Sequence, residues 1–472
     1  MMVTRTEDGL FPMPTDVPSR PRIVVIGLDG VPCSFLRAQF DAGRLPNLAR
    51  LASEGELRPA VSVQPPVSSA AWVSFATSRN PARHDIFGFI DRRPGTYDVY
   101  IPDATNIRAQ GIWELLGKQD RRVCAINVPG TYPPHPVNGI IVGDFLAPEL
   151  KGATYPPSLA DRLAAMGYKI DVDPWIAHKD LDAFVNEALE VLRLRTVAAL
   201  DLLGQEPWDL FMVHLMETDR INHFLWRQFE QGDAQWAPRF LDFYAAVDDA
   251  VGQIAAAAPR RGSGQAGDEP VLFILSDHGF GASKKAVFLN TWLQQIGWLG
   301  LDGSRDHPRL SDISSDSRAY CLDPSRFYIN LQSREPGGRV ERGDDYEHTR
   351  DALTAALLAL RDPEDGSPVI RQVFRREDIY RGVFFDHAPD LVADPHDGYD
   401  LRGRLGVAKV FDADVPQTGT HRFDDAFWLL RGARFLDKAT PAITDGGATI
   451  LKLLGLPLAR DMDGVPRARL DG

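Results

Sequence analysis

The sequence predicts an α/β protein, a doubly wound, mostly parallel sheet flanked by helices, with a smaller α+β cap inserted late in the chain. Three observations predict it. Short apolar, β-branched runs alternate with stretches of helical spacing through the first 285 residues. Three of those runs end abruptly in acidic residues, as strands do when their carboxyl ends open onto a site. From about 286 to 415 the alternation gives way to shorter strands, polar loops and one strong helical segment.

The elements follow in order. Residues 1–21 are mostly polar and carry Pro12, Pro14, Pro18 and Pro21, which predicts a loose N-terminal arm ahead of a catalytic core over 22–285. The run 22–30 suits a buried parallel strand that delivers Asp29 at its end. Helical spacing over 45–52 precedes a strand over 59–63, which Pro65 and Pro66 stop. Ser68 then stands where an N-cap belongs, before a helix over 69–76, in positive potential and beside backbone N–H groups able to hold a phosphate. Strands at 121–127 and 139–144 and helices at 158–166 and 180–203 continue the alternation. A strand over 208–215 enters Met216-Glu217-Thr218-Asp219-Arg220-Ile221-Asn222-His223. A helix over 240–257 and a polar loop over 259–270 lead to a strand over 271–275, which ends in Ser276-Asp277-His278-Gly279. The cap, 286–415, has its helix at 346–361, and the chain returns to the core over 416–472 with a strand at 426–431 and a helix at 441–454.

The formal charge of −13 argues against broad binding to nucleic acids or anionic membranes. It does not argue against anionic substrates, because a bound metal ion reverses the sign locally. Cys33, Cys124 and Cys321 lie far apart with no metal-ribbon or disulfide spacing, and read as buried free thiols. No apolar run of membrane-spanning length and no signal-like segment occurs, so a cytoplasmic protein with no membrane partner and no nucleic-acid polymer is expected. Oligomeric state is not legible.

Chemistry-bearing residues cluster at four places: Asp29, Asp219 with His223, Asp277 with His278, and His421. The first three follow predicted strands, whose carboxyl ends share one edge in an open α/β sheet, so residues distant in sequence converge. Asp219 and His223 are four apart and share a helix face, a spacing that suits a metal and is also common on solvated surfaces. An Asp-His-Gly at the end of Leu-Phe-Ile-Leu-Ser is a sharper signal, since charge there is costly unless it is used. By spacing alone His421 is an ordinary loop histidine, as are His84, His178, His214 and His387.

The segment Gln64-Pro65-Pro66-Val67-Ser68-Ser69-Ala70-Ala71-Trp72, running on to Arg79-Asn80-Pro81-Ala82-Arg83-His84-Asp85-Ile86, resembles the nucleophile region of the alkaline phosphatase superfamily, in its type I phosphodiesterase/nucleotide pyrophosphatase branch. The scattered motifs from Asp29 to His421 agree with that branch in order. The resemblance implies an alkaline-phosphatase-like core and a nucleophile at Ser68. It also implies one metal ion held by Asp29, Ser68, Asp277 and His278 and a second held by Asp219, His223 and His421. Mixed carboxylate and imidazole donors suit zinc, with manganese second. The expected substrate is a small phosphate ester, a phosphodiester or nucleotide pyrophosphate. A phosphomonoesterase or phosphomutase is the alternative, because the same centre serves all of these. A sulfatase pattern wants Pro and Arg two and four places past the nucleophile, where Ala70 and Trp72 stand; a non-catalytic metal binder would have little reason to keep all seven ligand positions filled. Two departures matter. Ala71 and Phe89 occupy places where the branch carries asparagines, one of them a donor to phosphate oxygen, and Ser78 and Asp85 replace usual glycines. Arg334, beside Glu335, reads as part of a structural turn rather than a phosphate clamp.

Overall fold

The computed structural model describes residues 20–258, 269–303 and 305–471. All but the last two residues of the expected arm, and all but the last two of the loop 259–270, lie outside the described residues.

The central sheet takes β1 (Ile23–Leu28), β2 (Glu56–Ala60), β3 (Val123–Ile126), β4 (Gly139–Val142), β5 (Thr154–Tyr155), β6 (Leu210–Leu215), β7 (Val271–Leu275) and β8 (Ala426–Arg431). Their order is β2-β8-β7-β1-β6-β3-β4-β5. The five strands from β7 to β4 run parallel. Antiparallel pairs occur toward the edges, β8 against β7 and β2, and β5 against β4. The helices that bear on the site and the cores are α1 (Cys33–Asp41), α2 (Pro46–Glu54), α3 (Ser68–Thr77), α4 (Leu181–Gln205), α5 (Glu217–Glu230), α6 (Trp236–Ala257), α7 (Asp344–Ala359) and α8 (Asp445–Leu453).

Successive side chains of β1 enter opposite cores. Val24, Ile26 and Leu28 pack with α1, α2, α4, α5 and α6. Ile23 and Val25 pack with α3 and α8 on the other face. Helices on both faces explain why the central strands read as unbroken apolar runs rather than alternating ones. The third core is separate and joins the four antiparallel strands Ala319–Leu322, Arg326–Ile329, Ile370–Arg375 and Leu391–Pro395 to α7. A long strand, Gly279–Phe288, links the two regions. It starts at the end of β7 and pairs with Gly398–Arg402, Phe411–Asp412 and Gly419–Arg422. Among the described residues no helix is long and apolar enough to cross a membrane.

Three local expectations are corrected. The strand expected over 59–63 lies at Glu56–Ala60, because pairing with β8 from Ala426↔Ala60 to Leu430↔Glu56 sets its limits. Ser68 is the first helical residue of α3 and not its N-cap; extended Val67 holds that place, with no side-chain cap. The strand Gly279–Phe288 was not expected, since its two glycines and two lysines carry little strand signal and its partners come more than a hundred residues later.

Candidate active site

β7, β1 and β6 are neighbours in register, Gly27 opposite Leu275 and Leu28 opposite Leu215. The first residues beyond their carboxyl ends therefore meet. Asp29 follows β1, Asp277 and His278 follow β7, and Asp219 lies in the first turn of α5, which follows β6. His223 is one turn further along α5. His421 comes from the opposite direction, on Gly419–Arg422, across from Phe280. α3 crosses the end of β1 closely: a Cβ on Gly27 would lie 2.7 Å from the Trp72 ring. Only glycine permits that approach, and it sets Ser68, one turn before Trp72, over Asp29. Gly30, at φ +66°, makes the turn that lets its N–H donate to Asp277 Oδ1 at 3.2 Å.

All seven residues expected from the sequence are brought together, in two adjoining groups. In the first, Ser68 Oγ is 3.1 Å from Asp29 Oδ1 and 3.2 Å from His278 Nε2. His278 Nε2 is 3.4 Å from both Asp29 Oδ1 and Asp277 Oδ2. In the second, His421 Nε2 is 3.0 Å from Asp219 Oδ1 and from His223 Nε2, and His223 Nε2 is 3.4 Å from Asp219 Oδ1. The His278 and His421 rings stack with centroids 3.8 Å apart, which joins the two groups.

The residues present fit divalent cations. Each of the three imidazoles has Nδ1 beside a backbone carbonyl, His278 on Gly279, His223 on Gly419 and His421 on Pro66. A carbonyl only accepts, so Nδ1 carries the proton and Nε2 is left facing its neighbours. Two such nitrogens 3.0 Å apart, those of His421 and His223, repel unless something positive lies against both. The carboxylates argue the same way. Asp277 is fully buried, its Oδ2 has no hydrogen-bond partner among the described residues, and burial and then the charge of Asp29 push its carboxyl well up. Burial works against ionised Asp29, yet bonds and charges from His214 and His278 hold it well below the usual carboxylate range. His278 is raised against its burial by Asp29, a proton taking the place that a cation fills. Burial lowers His223 to about 4, so its ring is neutral and free to ligate. Asp29, Asp277 and His278 thus form one group competent to hold a metal ion, and Asp219, His223 and His421 a second.

Sequence reasoning missed two residues that reach the first group. His214, fully buried on β6, has Nε2 2.8 Å from Asp29 Oδ2, and Trp72 Nε1 donates to the same oxygen at 2.9 Å. Together they occupy Oδ2 and leave Oδ1 for Ser68 and His278. His214 carried no local signal, since it sits inside an apolar strand; its position opposite Gly27 on β1 gives it the role. The other three histidines weighed from the sequence have structural contacts: His84 is bonded to Ser74, His178 packs on Phe224 and His387 pairs with Asp85. Ser78 and Asp85 do adopt the left-handed conformation of the glycines they replace, at φ 52° and 68°. Arg334 is locked to Glu335 and Asp390 beside the third core, as its structural reading requires.

A cavity of about 520 Å³ opens over the second group. Asp219, His223 and His421 line it together with residues of the later region, including Ser325, Asp394, Arg402 and Arg404. Phe89 and Arg220 also line it.

Comparison with known proteins places this arrangement. Among solved structures, phosphonoacetate hydrolase from Sinorhizobium meliloti 1021 in complex with phosphonoformate superposes with a TM-score of 0.62 at 16% identity, covering 92% of this chain and 96% of that one. Murine ectonucleotide pyrophosphatase / phosphodiesterase 5 superposes with a TM-score of 0.55 at 15% identity, over 93% and 96% of the two chains. An inactive variant of the murine protein in complex with AMP gives the same TM-score at 14% identity, over the same shares of the two chains. At such identities the likeness is one of fold. No curated protein sequence matches the chain. The profile of one sequence family, type I phosphodiesterase / nucleotide pyrophosphatase, matches residues 23–424. That span runs from β1 through His421, and the chain belongs to the type I phosphodiesterase / nucleotide pyrophosphatase family of hydrolases, with an alkaline-phosphatase-like fold.

Proposed function

We propose that the chain hydrolyses a phosphodiester or nucleotide-pyrophosphate-type bond in a small substrate through a covalent intermediate on Ser68. Asp29, Ser68, Asp277 and His278 would hold one divalent ion, and Asp219, His223 and His421 the other, with zinc favoured by the donor set and manganese second. The observation that carries this reading is the convergence of three Nε2 atoms, each with Nδ1 on a carbonyl, onto two adjoining carboxylate-bearing groups, the first of them in contact with Ser68.

When bound, such ions lower the pKa of a hydroxyl or water and neutralise charge on the attacking and leaving oxygens of an in-line displacement. Ser68 Oγ, at the N-terminus of a ten-residue helix, lies within hydrogen-bond reach of Asp29 and His278, the residues that would hold an ion beside it and so favour loss of its proton. Oγ bonds to phosphorus as the bond from phosphorus to the leaving oxygen breaks. Water then attacks the seryl phosphate; its oxygen bonds to phosphorus, the seryl oxygen leaves and a proton returns to Oγ. The backbone N–H groups of the first turn of α3 are placed to stabilise anionic charge near Oγ. Arg220, Arg402 and the exposed Arg404 line the cavity on which the leaving group would be carried.

A phosphomonoesterase or phosphomutase is the second reading, favoured by one observation: Ala71 and Phe89 stand where the branch carries asparagines, one of them a donor to phosphate oxygen. Hydrolysis of bis-p-nitrophenyl phosphate against p-nitrophenyl phosphate by zinc- or manganese-loaded protein separates the two. Preference for the diester supports the first reading, and preference for the monoester overturns it in favour of the second.

A further inference from the structure

Arg220 is the residue after Asp219 on α5 and lines the cavity beside Asp219, His223 and His421. Its guanidinium is fixed on one edge and one face. Nη2 and Nε donate to Asp171 Oδ2 at 2.5 and 3.2 Å, and the group lies 5.4 Å from the centre of the Phe145 ring. Nη1 is different. It makes no hydrogen bond among the described residues, and its nearest carboxylate contact, Asp219 Oδ2 at 3.8 Å, is too long for one. The structure therefore holds a rigid cation with one edge spent and the other turned toward the second ligand group.

Neighbouring amides do not fill this role. Asn222 has both ends engaged, Nδ2 on Gly30 O and Oδ1 under the Tyr244 hydroxyl. Gln64 borders the cavity, but its Nε2 is sealed from solvent. Arg402 is tied to Asp400 and Gln417. An anion placed between Arg220 and bound cations is attracted from both sides, and a guanidinium already held in place loses little freedom in binding it.

We propose that Arg220 is the phosphoryl-oxygen donor of this site, its Nη1 supplying the contact that Ala71 and Phe89 leave unmade. The proposal rests on the hydrolase reading given above. Asp171 is then a positioning residue that aims the fork without touching substrate or metal.

The test compares wild type, Arg220→Ala, Asp171→Asn and the double variant, all metal-loaded, with Ser68→Ala alongside. Three quantities are read: bound metal per chain, kcat/KM for whichever p-nitrophenyl ester the wild type prefers, and the inhibition constant of inorganic phosphate. We expect Arg220→Ala to keep its metal, to lose kcat/KM by on the order of 10²-fold, as loss of one such donor does elsewhere, and to bind phosphate at least about tenfold more weakly. Asp171→Asn should show a smaller loss that vanishes in the Arg220→Ala background. If Arg220→Ala does not fold, Arg220→Gln supplies the same readings. An unchanged kcat/KM and phosphate inhibition in the Arg220 variant, or a loss of bound metal that accounts for its defect, overturns the proposal. Activity in Ser68→Ala would instead overturn the covalent role of Ser68, and no metal-dependent turnover by the wild type would overturn the hydrolase reading itself, so the failures are distinguishable.

Discussion

At the residue scale, three imidazoles are turned by backbone carbonyls so that their ε nitrogens meet carboxylates, and Asp29 is divided between two tasks. Its Oδ2 is held by His214 and Trp72, while Oδ1 faces Ser68. Outer partners of this kind commonly alter metal affinity by about 10- to 100-fold. His214→Phe, which keeps the ring volume but removes the donor, should therefore weaken metal binding at the Asp29 group by about that factor in a chelator competition, whereas His214→Gln should retain most of the affinity. Equal affinities in the wild type and the Phe variant would show that His214 does not orient Asp29. Asp29, Asp277 and His278 were legible in the sequence because charge at the end of an apolar run is costly to bury unless a ligand or partner uses it. His214 was not, being an imidazole within such a run, whose importance comes only from lying beside β1.

At the element scale, α3 fixes where Ser68 stands. Its distance from β1 depends on Gly27, and a Cβ there meets Trp72 at 2.7 Å. Gly27→Val should displace α3, cost about 1–3 kcal/mol by overpacking, and lower activity more than stability predicts, because Ser68 and Trp72 move together. Thermal unfolding and turnover of the variant measure both. The far end of the same helix carries a pH-sensitive contact. His84 is buried against Ser74, and burial, with the Arg79 charge second, lowers its pKa from 6.5 to about 3. An imidazole that stays neutral in the fold but protonates in the unfolded chain favours unfolding as pH drops. Stability should thus fall between about pH 6.5 and 3, by up to about 1.4 kcal/mol per pH unit, and level off below that window. His84→Gln should flatten the slope of melting temperature against pH. An unaltered slope would place the acid sensitivity elsewhere. The helix itself is legible from spacing, but its start is displaced by one residue, since Ser68 looks like a cap and serves instead as the first helical residue.

At the scale of the whole molecule, the sheet was legible where it is parallel. Strands covered on both faces write themselves as continuous apolar runs, and β1, β3, β4, β6 and β7 lie close to where the pattern puts them. Elements that depend on distant pairing were not. Gly279–Phe288 gains its strand from partners at 398–422, and through Phe280↔His421 that pairing seats His421. The order of the motifs told more than any one of them: seven donors in five places acquire meaning from one sheet edge. The measurement that tests this account most directly is the initial rate of p-nitrophenyl ester hydrolysis by metal-loaded wild type and Ser68→Ala at equal concentrations of folded protein. The account predicts metal-dependent turnover in the wild type and none above background in the variant. Turnover at the wild-type rate in Ser68→Ala would contradict it.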